Sequence, residues 1–239
     1  MSLIAVVPAR AGSKGVPGKN LIEVGGKPLI GHILTAARAA KGIDRLIVST
    51  EDDRIAETAQ RFGAEILFKR PAALAEDHIN IIQVLCHAVE ELDRLGVACD
   101  AILSLQPIAP LLSTASIEAA IAMWHKTGCD SVFAVREVDH NHPFRIQSVD
   151  EEGRVTPYVA DGERYLQRQD LPVFHSNSGG LYLRRRELLE KWTGKDFCLG
   201  SDRRAVVVPQ WEAINIDTPV DLEMFRAYVT LKSQNAAND

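Results

Sequence analysis

Along most of the chain, short uninterrupted apolar runs alternate with segments whose apolar positions recur every three or four residues. Leu3 to Val7 is the first such run, and Leu29, Ile33, Ala36 and Ala37 follow at helical spacing within Leu29 to Ala40. Between them lies a loop rich in Pro, Gly and Lys. Arg45 to Thr50 (RLIVST) reads as a second strand, Asp52 to Phe62 as a helix closed by Gly63, and Ala64 to Phe68 as a third strand. Ile79 to Leu95 sets Ile82, Leu85, Val89 and Leu92 at helical intervals and stops at Gly96. Ala101 to Leu105 (AILSL) is then strand, Ser113 to Lys126 helix, and Ser131 to Val135 (SVFAV) strand again. Strands that are apolar on both faces need cover on both faces, which right-handed crossover helices supply. The pattern predicts a three-layer α/β sandwich with a mostly parallel, Rossmann-like sheet.

From Arg136 to about Ser178 the periodicity lapses. Charged and aromatic residues mix there with His140, His142, Pro143, Pro157 and Pro172, and no clean helix is visible. We read 136–178 as an excursion inserted into a single domain spanning 1–239. Gly179 to Leu183 (GGLYL) and Ala205 to Val208 return as strands, Thr218 to about Leu231 is the closing helix, and the polar tail SQNAAND is expected to fray.

Composition narrows this picture only slightly. With 239 residues, 46% of them hydrophobic, the chain is long enough for one full core. A formal net charge of -5 gives no global basic field, so sequence-independent attraction to nucleic acid is not expected and any phosphate site must be local. Cys86, Cys99, Cys129 and Cys198 lack paired or metal-like spacing and read as reduced small hydrophobes. No stretch approaches the roughly 20 apolar residues that a membrane helix needs. The expectation is a cytoplasmic protein with neither membrane nor nucleic acid as partner.

The densest chemistry lies in PARAGSKGVPGKN, Pro8 to Asn20, just after the first strand. Ligands of open α/β sheets bind at the carboxyl ends of the strands. Three glycines there let backbone amides approach a phosphate, and Arg10, Lys14 and Lys19 neutralise its charge. A triphosphate suits such a loop, and a solvated basic turn is the bland alternative. It is not a P-loop: five residues rather than four separate Gly12 from Gly18, and Asn20 follows Lys19 where Ser or Thr would ligate magnesium. Nor is it GxGxxG, so a dinucleotide site is disfavoured.

This loop, with its Lys19-Asn20-Leu21 ending, resembles the signature of the N-acylneuraminate cytidylyltransferases, or CMP-sialic acid synthetases, and their legionaminic and pseudaminic acid relatives. The resemblance continues through Ser49-Thr50-Glu51-Asp52, Arg70-Pro71 with Asp77, Leu105-Gln106-Pro107, His142-Pro143, Arg168-Gln169, Gly179 to Leu183 and Asn215-Ile216-Asp217-Thr218. It implies a sandwich of the nucleotide-diphospho-sugar transferase type, CTP and a sialic-acid-type sugar acid as partners, and Mg²⁺ as cofactor. It also implies a homodimer in which 136–178 is the dimerisation and sugar-binding element.

Residue by residue, the resemblance assigns Arg10, Ser13 and Lys19 to the triphosphate and Asn20 and Arg70 to cytosine and ribose. It assigns Gln106, Arg145, Arg168 and Gln169 to the sugar, partly from the neighbouring subunit. A carboxylated sugar needs a cation, and Arg offers a bidentate fork. Where the family has Gln-Pro-Thr-Ser-Pro followed by Leu-Arg, this chain has Gln106-Pro107-Ile108-Ala109-Pro110-Leu111-Leu112, without two hydroxyls and a cation. At the metal end the family's Asp-Ile-Asp is Asn215-Ile216-Asp217 here, leaving Asp217 as the main magnesium ligand with Asn215 in support.

Thr218, Pro219 and Asp221 fit the N-cap, first turn and capping acid of the last helix, so Asp221 is read as structural. His140 and His142 lack a carboxylate or thiol at metal spacing and are read as structural or sugar-shell side chains rather than a metal pair. The implied chemistry is a single displacement on CTP, with Arg10, Lys19 and Asp217 as its catalytic groups. Two alternatives stay open: the same chemistry with Kdo, another sugar or GTP, and a non-catalytic nucleotide-binding protein for which Asn215 is the only support.

Overall fold

A computed structural model describes residues 1–139, 141–160 and 162–236. In chain order its elements are β1 (Leu3–Pro8), β2 (Glu23–Val24), β3 (Lys27–Pro28), α1 (Leu29–Ala39), β4 (Arg45–Ser49), α2 (Asp53–Arg61), α3 (Ile81–Arg94) and β5 (Ala101–Leu105). There follow α4 (Thr114–Thr127), β6 (Ser131–Glu137), β7 (Gln147–Val149), β8 (Val155–Pro157), β9 (His175–Arg185), α5 (Arg186–Glu190), β10 (Arg203–Val207) and α6 (Pro219–Ala236).

Six strands form one sheet in the order β10-β6-β9-β5-β1-β4. β1 pairs in parallel with β4 and β5, and β10 with β6, while β9 runs antiparallel between β5 and β6. The expected mostly parallel, three-layer sandwich is therefore the observed fold. Alternate residues of β1 divide between its two cores. Leu3, Ala5 and Val7 pack with α1, α2 and α4, including Ile33, Ile55 and the fully buried Trp124, and Ile4 and Val6 pack with Ile82, Leu85 and Leu92 of α3. The two-residue period of a strand makes this division automatic.

Local side-chain signals bound the helices. Asp52 caps α2 by accepting from the amides of Arg54 and Ile55, Asn80 closes a capping box with Gln83 on α3, and Ser113 caps α4. Gly63 follows α2 in the left-handed region at φ 79°. Thr218 and Asp221 bond each other's side chain and backbone at the start of α6, which supports the structural reading of Asp221.

Some expectations fail. Ala64 to Phe68 is not a strand: only Glu65 pairs, bridging Ile47, after which Phe68 turns into the α3 core. The polar tail does not fray from Ser233, since α6 continues to Ala236; Ala237 to Asp239 lie outside the described residues. The excursion leaves the sheet after Glu137 and rejoins it at His175, holding the β7–β8 hairpin and short helical turns.

Candidate active site

The loop after β1 is held at both ends and in the middle. Val16 enters a small core with Val24, Leu29, Ile216, Leu222 and Phe225, so the loop packs on α6 and on the segment that precedes it. At Gly15 any side chain would collide with the Asp217 carbonyl oxygen, so only glycine permits the crossing of loop and segment. Asn20 is buried, and its Nδ2 donates to the Arg10 carbonyl at 2.9 Å, fastening the loop to itself.

These contacts bring together residues separated by almost the whole chain. Lys19 Nζ donates to the Ile216 carbonyl at 2.8 Å and stands 3.4 Å from Asp217 Oδ1. Asn215 Nδ2 donates to the Ser178 carbonyl at 2.9 Å, and its Oδ1 is buried without a protein partner. Asp217 leaves 63% of its side chain exposed. Among the described residues no group of three His, Cys, Asp or Glu side chains gathers as a ready metal cluster.

Arg70 is buried, and Nε and Nη2 donate to Glu51 Oε2 at 3.2 and 2.5 Å. The other oxygen, Oε1, accepts from the Ala11 amide at 2.7 Å. Glu51 therefore couples Arg70 to the first loop, a link the sequence motif contained but whose purpose it did not disclose. Asp77 is a second organiser: it meets Arg10 at 2.8 Å and Lys14 at 3.0 Å, and these cations, Lys14 first, hold its carboxyl below the usual range. Neither acid carries a sequence signal beyond membership of a motif, because each partner lies far away along the chain.

Arg10, Ser13, Lys19, Asn20, Arg70 and Gln106 all line one cavity of about 220 Å³ at the carboxyl ends of β1 and β5. The backbone N–H of Gln106 donates to the Gly180 carbonyl of β9 at 2.8 Å, anchoring the main chain at this point. Ile108 lines the same cavity, whereas Ala109 and Leu112 are buried, Ala109 against Gly180 and Leu112 in the core beneath α1 and α4. Of the three departures from the expected Gln-Pro motif, only Ile108 therefore meets the cavity.

The other sugar candidates are not brought to this cavity. Arg145 donates from Nη2 to the Tyr165 carbonyl at 2.6 Å, Arg168 pairs with Asp139, and Gln169 bonds Gln167. Arg168 lines a separate cavity of about 490 Å³ with His142, Leu171 and Pro172. Both ring nitrogens of His142 are engaged, by the Pro172 carbonyl at 2.9 Å and the Phe144 amide at 3.2 Å, which supports its structural reading. His140 lies outside the described residues.

A family profile described as Cytidylyltransferase matches residues 4–199. The chain belongs to the cytidylyltransferase family. It is 29% identical over 235 residues to a CMP-N,N'-diacetyllegionaminic acid synthase of Legionella pneumophila, covering 98% of this chain and 99% of that one. It is 28% identical over 237 residues to a pseudaminic acid cytidylyltransferase of Campylobacter jejuni, covering 99% and 100%. In fold it is similar to a CMP:2-keto-3-deoxy-manno-octonic acid synthetase solved with CTP, at a TM-score of 0.71 and 21% identity over 97% of this chain and 100% of that one. This cytidylyltransferase has no helix, among its described residues, long and apolar enough to cross a membrane.

Proposed function

We propose that this cytidylyltransferase joins CMP from CTP to a sialic-acid-type 2-keto sugar acid, such as N-acetylneuraminate, legionaminate or pseudaminate, and releases pyrophosphate. The observation that carries the proposal is the convergence of Arg10, Ser13, Lys19, Asn20, Arg70 and Gln106 on one cavity. The full-length match to two bacterial relatives named for nonulosonic acids supports the acceptor class.

In this reading the anomeric hydroxyl of the sugar acid attacks the α-phosphorus of CTP and pyrophosphate leaves in line, so no protein nucleophile is needed. The loop holds the triphosphate with Arg10, Ser13 and Lys19, and the two cations neutralise charge as it shifts to the leaving group. Asn20 and Arg70 hold cytosine and ribose, and Gln106 faces the acceptor. Asp217 and Asn215 fit Mg²⁺ as hard oxygen donors: one carboxylate is open to solvent and one amide oxygen lacks a partner. Mg²⁺, when bound, supplies charge neutralisation on the triphosphate. A cytoplasmic location belongs to the same reading, since CTP is made there.

We assign the excursion to a homodimer contact that brings Arg145, Arg168 and Gln169 to the sugar site of the neighbouring subunit. Support comes from its surface, where Val149, Val155, Tyr158, Leu166 and Val173 are 59–86% exposed and apolar exposure on this scale marks contact surfaces.

The test is pyrophosphate release with Mg²⁺ and CTP against N-acetylneuraminate, legionaminate, pseudaminate, Kdo and no sugar, each repeated with GTP. Release with CTP and a nonulosonic acid is expected. Release only with Kdo or only with GTP would overturn the specificity, and the presence of Ile108 in the cavity is the reason for the Kdo arm. CTP binding without release from any acceptor would make the protein a nucleotide binder.

A further inference from the structure

Two cations of the phosphate loop share a single carboxylate. Arg10 Nη1 donates to Asp77 Oδ1 at 2.8 Å and to the Ala75 carbonyl at 3.0 Å, and Lys14 Nζ lies 3.0 Å from Asp77 Oδ2. Each oxygen of Asp77 thus serves a different cation, as two oxygens of a polyphosphate would. The Asp77 side chain is 47% exposed and that of Lys14 78%, so both pairs sit in water, where ion pairs are weak enough to exchange. Lys14 first, then Arg10, holds the Asp77 carboxyl below the usual carboxylate range.

The pairing also forms a partition. The 220 Å³ cavity and an adjoining one of about 440 Å³ share Arg10, Gly12 and Glu76 as walls, and Asp77 with Ala75 lines only the second. The segment that carries Asp77 is held loosely: from Pro71 to Asn80 no residue is buried, while Arg70 before it and Ile82 after it both are. A displacement of Asp77 would therefore disturb no core contact and would join the two spaces.

We propose that Asp77 is a displaceable counter-ion of the phosphate loop. It and the polyphosphate of the nucleotide compete for Arg10 and Lys14, so nucleotide entry lifts the strap from Pro71 to Ile79, and Asp77 retakes both cations as pyrophosphate departs. A loop of unopposed Arg and Lys would grip the product as firmly as the substrate. A rival carboxylate weakens both grips, which favours turnover when product release limits the rate. The inference rests on the proposed use of the loop for a nucleoside triphosphate.

Titration calorimetry with CTP, inorganic tripolyphosphate and cytidine on the wild type, Asp77→Asn and Asp77→Glu tests it, together with pyrophosphate inhibition of turnover. Asp77→Asn should tighten CTP and tripolyphosphate by about fivefold, leave cytidine unchanged and deepen pyrophosphate inhibition, while Asp77→Glu stays close to the wild type. Weaker polyphosphate binding by Asp77→Asn would overturn the inference, since Asp77 would then be positioning the cations for the ligand. An equal change for cytidine would also overturn it, as a general distortion. Tripolyphosphate tightening in a protein that neither binds CTP nor releases pyrophosphate would keep the counter-ion and refute the proposed function; unchanged tripolyphosphate binding in an active enzyme would do the reverse.

Discussion

Lys19 joins two tasks, holding the Ile216 carbonyl and facing the Asp217 carboxylate, with only 13% of its side chain exposed. A cation held so firmly has little reorganisation left to do when charge builds on a leaving group. Lys19→Ala is expected to lower kcat/KM for CTP by about 10²- to 10³-fold, mainly in kcat, as measured by pyrophosphate release over a range of CTP concentrations. A fall confined to KM would reduce Lys19 to ground-state binding. Arg10, Lys14 and Lys19 were legible because they share one short loop after a strand, whereas Ser13 and Asn20 were singled out only by the family resemblance. Glu51 and Asp77 were not, because an acid announces its role only through its partner, and these partners lie at Arg70, Ala11, Arg10 and Lys14.

Among elements, the crossing of the first loop over the segment before α6 matters most. Gly15 permits it, and Val16, Ile216 and Phe225 cement it. Gly15→Ala should push the loop off Asp217 and part Lys19 from Ile216. The expected outcome is at least a tenfold loss of turnover, on the order of 1.4 kcal/mol or more in the barrier, with the far-ultraviolet dichroism of the sheet and helices retained. Wild-type kinetics in Gly15→Ala would show that the crossing is incidental. The start of α6 was readable because capping is a matter of adjacent residues, as at Thr218 and Asp221. The stretch from Ala64 to Phe68 misled because a run of apolar residues describes burial, whereas a strand also needs a paired neighbour, which only Glu65 finds.

For the whole molecule, the excursion separates Arg145, Arg168 and Gln169 from the cavity lined by Arg10, Lys19 and Gln106 while exposing Tyr158 at 71% and Leu166 at 86%. Sedimentation velocity should give a dimer, and Tyr158→Glu with Leu166→Glu should yield monomers that bind CTP normally but show a KM for the sugar acid raised about tenfold or more, the loss of one good charged contact. Monomers with an unchanged sugar KM would confine the whole site to one chain. Most strands and helices in their order, the two-sided burial of the sheet and the dense Arg, Lys and Gly loop after β1 follow from residues near one another in the chain, which is why periodicity and local composition reach them. The antiparallel entry of β9 between β5 and β6, the meeting of Lys19 with Asp217, the linkage of Arg70 through Glu51 and the turning of Ala109 and Leu112 away from the cavity came only with the fold. Each depends on contacts between distant segments, whose geometry is set by packing the whole core at once and has no counterpart in any local pattern.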